Sequence, residues 1–357
     1  MYSISVVIPT AHHDTLLDTC LAALIAQDLD PTLFEIVIVD LGNSPKTRSV
    51  VARWQEATAA YRIVPAQNGA RPWSGGLDTA LITQVMASTE LAYHPLIRYI
   101  PVTDPLRGQA HARNLGWRAA QGEFIAFTND DCIPRSDWLR RGLHALLQGY
   151  DGVTGQVEML LSDNPTDYEI NASRMMSSEF VTANCFYRKH VLETAGGFDE
   201  CYQTTWWEDT DLFFTLLQQS ARLTYEPNAV VLHPIENAPW GVSLAQQRRN
   251  YLNAILYRKH PGLFREKVGN GMPAWYWAAV VLIVFFLAGL IFQQSWIAAF
   301  GGTGWLILTL WFAGDRLNNT SRQPGHILEI AVTSGLIPLL ACYWRLRGSL
   351  AYRVWFS

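Results

Sequence analysis

Three acidic clusters carry the residues whose types and spacing suit chemistry. Asn129-Asp130-Asp131 follows an apolar run directly. Carboxylate oxygens in such a place are natural ligands for a hard divalent cation, and they are also ordinary turn and helix-cap residues. Glu208-Asp209 lies within Trp206–Asp211 (WWEDTD), just before the apolar stretch Leu212–Leu217. A carboxylate there can take a proton from a hydroxyl, and a helix N-terminus would hold it ionised. The same physics makes an ordinary cap of it. Asp40 closes the run Phe34–Val39 and opens the turn Asp40-Leu41-Gly42-Asn43. His233 ends Ala229–Leu232 before Pro234, a place where a lone histidine is as readily a core residue as a ligand.

The elements that must position these groups follow from periodicity. Ser3–Ile8, stopped by Pro9, reads as a first strand, Phe34–Val39 as a second, Ile97–Val102 as a third and Phe124–Phe127 as a fourth. Helical spacing covers Leu16–Ala26, Thr47–Ala60 and Gln109–Ala120, the last ending at Gly122. This alternation predicts an α/β fold with a mostly parallel sheet flanked by helices, and ligands sit beyond the carboxyl ends of such strands. Asp40 and Asn129–Asp131 fall there. Tyr61–Pro95 is surplus to the alternation, and a helix is expected from Thr79 because a structureless loop of that length is uncommon.

Ile4–Thr10 (ISVVIPT), Glu35–Asp40 (EIVIVD), Ala112–Asp131 (ARNLGWRAAQGEFIAFTNDD), Gly196–Glu200 (GGFDE) and Trp206–Asp211, taken in order over roughly residues 1–260, resemble family 2 glycosyltransferases of the GT-A fold. The resemblance implies an inverting transfer of a sugar from a nucleotide-diphospho-sugar, assisted by Mg²⁺ or Mn²⁺. It makes Asp131 a metal ligand, with Asp130 on metal or ribose and His233 as a third ligand. Asp209 matches the family's catalytic base. Asp40 matches the residue that reads the nucleotide base, and Thr10, Arg113, Asn114, Glu208 and Trp207 fall in substrate-binding segments. Arg113 and Asn114 would lie near the diphosphate, where a guanidinium suits phosphate, with Arg113 equally read as an ordinary surface residue, and Trp206-Trp207 would pack against a sugar or equally in the core. Two positions depart from the pattern: Asn129 replaces the first Asp of D-x-D, and Leu41 replaces a second Asp after Asp40. They keep open a non-catalytic membrane module that retains the fold. Gln246 and Arg249 match the Q-x-x-R-W of processive polysaccharide synthases, but Asn250 stands where the Trp belongs. A single-addition enzyme is therefore preferred over a synthase, with Leu244–Lys259 a basic amphipathic helix on the membrane and Arg249 on a donor or lipid phosphate. Nucleotidyl transfer is disfavoured, since no Gly-rich, Lys-containing loop follows the first strand.

Charge distribution sets the remaining expectations. Charged side chains make up 16% of the 357 residues and hydrophobic ones 49%. Residues 271–357 hold only Asp315, Arg316, Arg322, Glu329, Arg345, Arg347 and Arg353. The net charge of −4 argues against a nucleic-acid partner. Ala274–Phe292, Ser295–Gly314 and His326–Trp344 are candidate spans, the first opened by Trp275, Tyr276 and Trp277. Arg258, Lys259, Arg265 and Lys267 precede the first, which places the front part in the cytoplasm by the positive-inside rule. Three spans would then put Arg345, Arg347 and Arg353 outside, so two spans and three both stand. The expected organisation is a cytoplasmic GT-A domain over 1–243, a juxtamembrane segment over 244–272, two or three transmembrane helices over 273–345 and a basic-aromatic tail over 346–357. The expected acceptor is lipid-linked or a glycan, and the expected location is the inner or plasma membrane. Met1–Thr10 runs straight into a β-like stretch, so no signal peptide is expected. Five scattered cysteines without a C-x-x-C fit a reduced compartment.

Overall fold

The structure, a computed structural model, describes residues 2–11, 14–61, 94–202, 206–269 and 271–356. Most of the segment 61–95, including the helix expected from Thr79, lies outside the described residues. The chain divides into two units: residues 1–160 with 175–234, and residues 161–174 with 235–357.

The first unit is built on one eight-stranded sheet of order β3-β2-β1-β4-β7-β6-β8-β5. β1 (Ile4–Thr10), β2 (Phe34–Asp40), β3 (Leu96–Pro101) and β4 (Phe124–Phe127) run parallel. All seven residues of β1 and of β2 are buried, which is why both read as continuous apolar runs rather than alternating ones. The other half is mixed. β7 (Cys185–Arg188) pairs antiparallel with β4 and with β6 (Gly152–Glu158). β8 (Leu223–Leu232) pairs parallel with β6 and antiparallel with the short β5 (Ile133–Pro134). The sheet is thus less parallel than the sequence suggests.

Pro9 does not stop β1; it pairs with Val39 inside the strand. The Thr10 carbonyl accepts from Leu41 N on the β2 side, and the Val7 carbonyl from Thr128 N on the β4 side. That alternation turns the Pro9 nitrogen toward β4. The β4 pairing ends at Val7–Phe127, where the next ladder bond would need an N–H that Pro9 lacks.

Helices Asp14–Ile25, Pro45–Tyr61, Gly108–Ala119 and Trp138–Leu147 cover the sheet. Gly116 lets the third of these lie directly on β1: a Cβ there would come within 2.3 Å of Val7 Cγ1.

The second unit holds three helices long and apolar enough to cross a membrane: Ala274–Ile291, Ser295–Arg316 and Pro324–Tyr352. The first two form a hairpin. Gly301 forms its seam, because a Cβ there would lie 2.4 Å from the Phe286 nitrogen. Gly302 and Gly304 instead face side chains of the first helix, Phe286 and Leu282. The third helix passes through Pro338 and ends beyond the predicted Trp344. The expected single helix Leu244–Lys259 is instead Val242–Gln246, a 3-10 turn Gln247–Tyr251 and Asn253–Lys259. Asn250 Nδ2 donates to the Gln247 carbonyl at 3.1 Å, a local bond that competes with the α-helical ladder.

Candidate active site

The carboxyl ends of β1, β2 and β4 carry Thr10, Asp40 and the segment Thr128–Asp131. The structure gives these groups unequal work. Asp40 is fully buried. Its Oδ1 accepts from Gly42 N at 2.9 Å, and its Oδ2 accepts from Ser44 N at 3.1 Å and from Tyr99 Oη at 2.7 Å. It closes the turn after β2, the structural alternative considered for it, and Tyr99 is a partner that sequence reasoning missed. Thr10 is also buried, and its Oγ1 has no hydrogen-bond partner among the described residues.

Arg113 is not a surface residue: it is 1% exposed. Its Nη1 donates to Glu208 Oε1 at 3.0 Å, and its Nη2 to Gln109 Oε1 at 3.0 Å and Asn129 Oδ1 at 3.2 Å. One guanidinium therefore ties the 129–131 loop to the 208–209 pair. The Asn129 that departs from the family pattern is the acceptor in this network. Asn114 spends its whole capacity inside the protein. Its Nδ2 donates to the Phe198 carbonyl and Glu200 Oε1, and its Oδ1 accepts from Phe198 N and Trp117 Nε1. It braces the GGFDE segment and has no bond left for a substrate.

Glu208 and Asp209 open the helix Glu208–Gln218. Trp207 caps it with φ of 75°, in the left-handed region that a bulky residue rarely occupies, and its ring lies 5.0 Å from that of Trp206. The helix terminus does not hold these acids down. Burial, and then the charge of Asp209, push Glu208 up to about 7 against the pull of Arg113. Burial also raises Asp209, although hydrogen bonds from Thr210 and the Thr182 backbone oppose the shift. Desolvation outweighs the dipole because the pair faces protein rather than water. A raised carboxylate that remains ionised is the stronger proton acceptor.

Asp131, Cys132 and His233 bring one ligand atom each to within 4.8 Å of one another. Asp131 Oδ2 lies 3.5 Å from His233 Nε2. His233 Nδ1 is 3.0 Å from the Pro234 carbonyl, which can only accept, so Nδ1 carries the proton and the Nε2 lone pair faces the carboxylate. Two lone pairs so placed need a proton or a cation between them. Cys132 was not singled out by the sequence. Its thiol is pushed well up by burial and by Asp131, its Sγ donates to Asp131 Oδ1 at 3.5 Å, and soft sulfur suits a hard cation poorly. The donor set that fits a hard cation is thus Asp131 with His233. Asp130 is 5% exposed and is not part of this cluster. Arg249 lies in the second unit, on the turn Gln247–Tyr251.

The mixed sheet flanked by helices carries these acidic residues at its strand ends. The model of glycosyl transferase family 2 matches residues 78–198. Glycosyltransferase AglE of Haloferax volcanii is 24% identical over 258 residues, 69% of this chain and 71% of that protein. Validoxylamine A glucosyltransferase of Streptomyces hygroscopicus subsp. limoneus is 25% identical over 291 residues, 74% of this chain and 58% of that protein. Among solved structures, the mannosyltransferase PcManGT from Pyrobaculum calidifontis, in complex with GDP-Man and Mn²⁺, superposes with a TM-score of 0.55 at 19% identity, covering 97% of this chain and 88% of that one. The chain thus shares the GT-A fold, and its residues 78–198 match glycosyl transferase family 2.

Proposed function

We propose that the protein is a membrane-anchored inverting glycosyltransferase that moves one sugar from a nucleotide-diphospho-sugar to a lipid-linked or glycan acceptor. The observation that carries this reading is the Asp131–His233 pair, whose lone pairs converge at 3.5 Å. Asp131 and His233 would hold Mg²⁺ or Mn²⁺, which neutralises charge on the departing diphosphate. Asp209 takes the proton of the attacking hydroxyl. Glu208 and Arg113 keep Asp209 and the 129–131 loop in register, so Arg113 is a positioning residue. The relatives named as glucosyltransferase and mannosyltransferase support a hexose donor. The three apolar helices support anchoring, and the basic residues before Ala274 support a cytoplasmic site.

The test is incorporation of labelled sugar from UDP-, GDP- and dTDP-sugars into an organic extract of membranes that contain the protein. Asp209→Asn should lower the rate by about 10²–10⁴-fold while donor binding persists. Full activity of Asp209→Asn would remove Asp209 as the base.

A further inference from the structure

The second unit contains a cavity of about 300 Å³, at the lower end of the range of small-molecule sites. It lies where the helix Ser295–Arg316 ends and the helix Pro324–Tyr352 begins, walled also by residues of 161–174 and 235–246. The hairpin returns the chain at Arg316 to the end from which it left at Ala274. An aromatic cluster marks that end: the Trp275 ring lies 5.1 Å from that of Trp311 and 4.8 Å from that of Phe312. Tryptophan clusters of this kind sit at headgroup level, so the cavity opens at the height of lipid headgroups.

The cavity is built rather than incidental. Arg316 Nη2 donates to Asp167 Oδ2 at 2.8 Å, and its Nη1 donates to Thr333 Oγ1 at 2.8 Å and Ser334 Oγ at 3.0 Å. Glu329 Oε1 accepts from Gly241 N at 2.7 Å. Thr166 and Glu169 form a reciprocal capping box at the start of Asp167–Ser173. The lining carries four carboxylates, Asp167, Glu169, Glu236 and Glu329, against the guanidinium of Arg316, which is already paired, and His326, whose Nε2 accepts from Asp167 N. That balance repels phosphate. Asn164, Asn237 and Gln246 add side-chain amides, and the buried Ser243 Oγ in the wall has no hydrogen-bond partner among the described residues. Carboxylates and amides together match the donors and acceptors of a polyol.

We infer that this cavity binds the saccharide headgroup of a membrane-anchored acceptor, and that the headgroup is neutral and polyhydroxylated rather than a bare phosphate. The inference names the acceptor class of the transferase reading and rests on it for the word acceptor. The binding site itself stands on the cavity alone.

The test uses the full chain in nanodiscs, free of glycosidic detergent. Octyl glucoside, octyl mannoside, octyl galactoside and octyl N-acetylglucosaminide are titrated below their micelle concentrations against octyl phosphate and the matching methyl glycosides, by microscale thermophoresis. At least one octyl glycoside should bind saturably and about tenfold or more tighter than octyl phosphate. Asn164→Ala and Gln246→Ala should each weaken it by about three- to tenfold, one hydrogen bond's share, and leave nucleotide-sugar binding unchanged. Binding of a methyl glycoside as tight as its octyl partner would show a soluble saccharide as the ligand and overturn the membrane-anchored assignment. Octyl phosphate binding as tightly as the glycosides, no saturable glycoside, or unaltered affinity in both variants would overturn the site. Donor binding on the same samples reports the transferase reading separately, so failure of either is distinguishable.

Discussion

Arg113→Met removes the guanidinium that links Asn129 to Glu208 and keeps much of the buried volume beside Phe198. What remains is Glu208 at 3% exposure without its cation, its Oε2 already lacking a partner among the described residues. Breaking a buried ion pair from one side costs about 3–5 kcal/mol. Protonation relieves Glu208. A carboxylate raised to about 7 makes the folded state hold its proton more tightly than the unfolded chain does. Stability from this group is therefore present at low pH and is lost as pH rises from about 4.5 through about 7, at roughly 1.4 kcal/mol per unit. Losing Arg113 raises Glu208 further and extends that loss to higher pH. At roughly 2–4 °C per kcal/mol, Arg113→Met should melt about 6–20 °C below wild type near pH 8, and the deficit should shrink by several degrees near pH 5.5. Tryptophan fluorescence of detergent-solubilised protein at one scan rate measures both. The double variant Arg113→Met with Glu208→Leu should recover at least about half the loss, because an apolar pair leaves no buried charge. A deficit below about 3 °C near pH 8, or one that ignores pH, would refute the hub.

Two other outcomes follow from the geometry. His233→Ala should weaken Mn²⁺ binding by about tenfold or more, read by paramagnetic resonance of free Mn²⁺, and an unchanged affinity would remove it from the donor set. Gly301→Leu should prevent the helical hairpin from closing, since a Cβ there meets the Phe286 backbone, and aggregation on size-exclusion chromatography would report it. A monodisperse Gly301→Leu protein with wild-type melting would contradict the seam.

β1, β2 and β4 were legible because their residues are mostly apolar, and Asp40, Asp130 and Asp131 could be placed at strand ends from the residue pattern. β5, β6 and β7 were not legible: their pairing is set by long-range partners such as Phe124 with Arg188. The role of Arg113 was hidden for the same reason. Its principal partner, Glu208, lies 95 residues away, and a guanidinium reads alike in a phosphate site and in a hub. The cavity of the second unit had one readable signal, the Thr166-x-x-Glu169 capping pattern, which announces the helix Asp167–Ser173 but says nothing of Arg316 as its partner. Burial reversed the expected effect of the helix terminus on Asp209, and burial of a polar pair is the quantity a single sequence conveys least.

The central claim is that Asp131 and His233 hold a divalent cation for a nucleotide-sugar. Calorimetric titration of the solubilised protein with UDP-, GDP- and dTDP-sugars, with and without Mn²⁺ and repeated on Asp131→Ala, tests it most directly. The account predicts Mn²⁺-dependent binding of one donor class, abolished in Asp131→Ala. Metal-independent donor binding that survives Asp131→Ala, or no binding of any donor by folded protein, would contradict it.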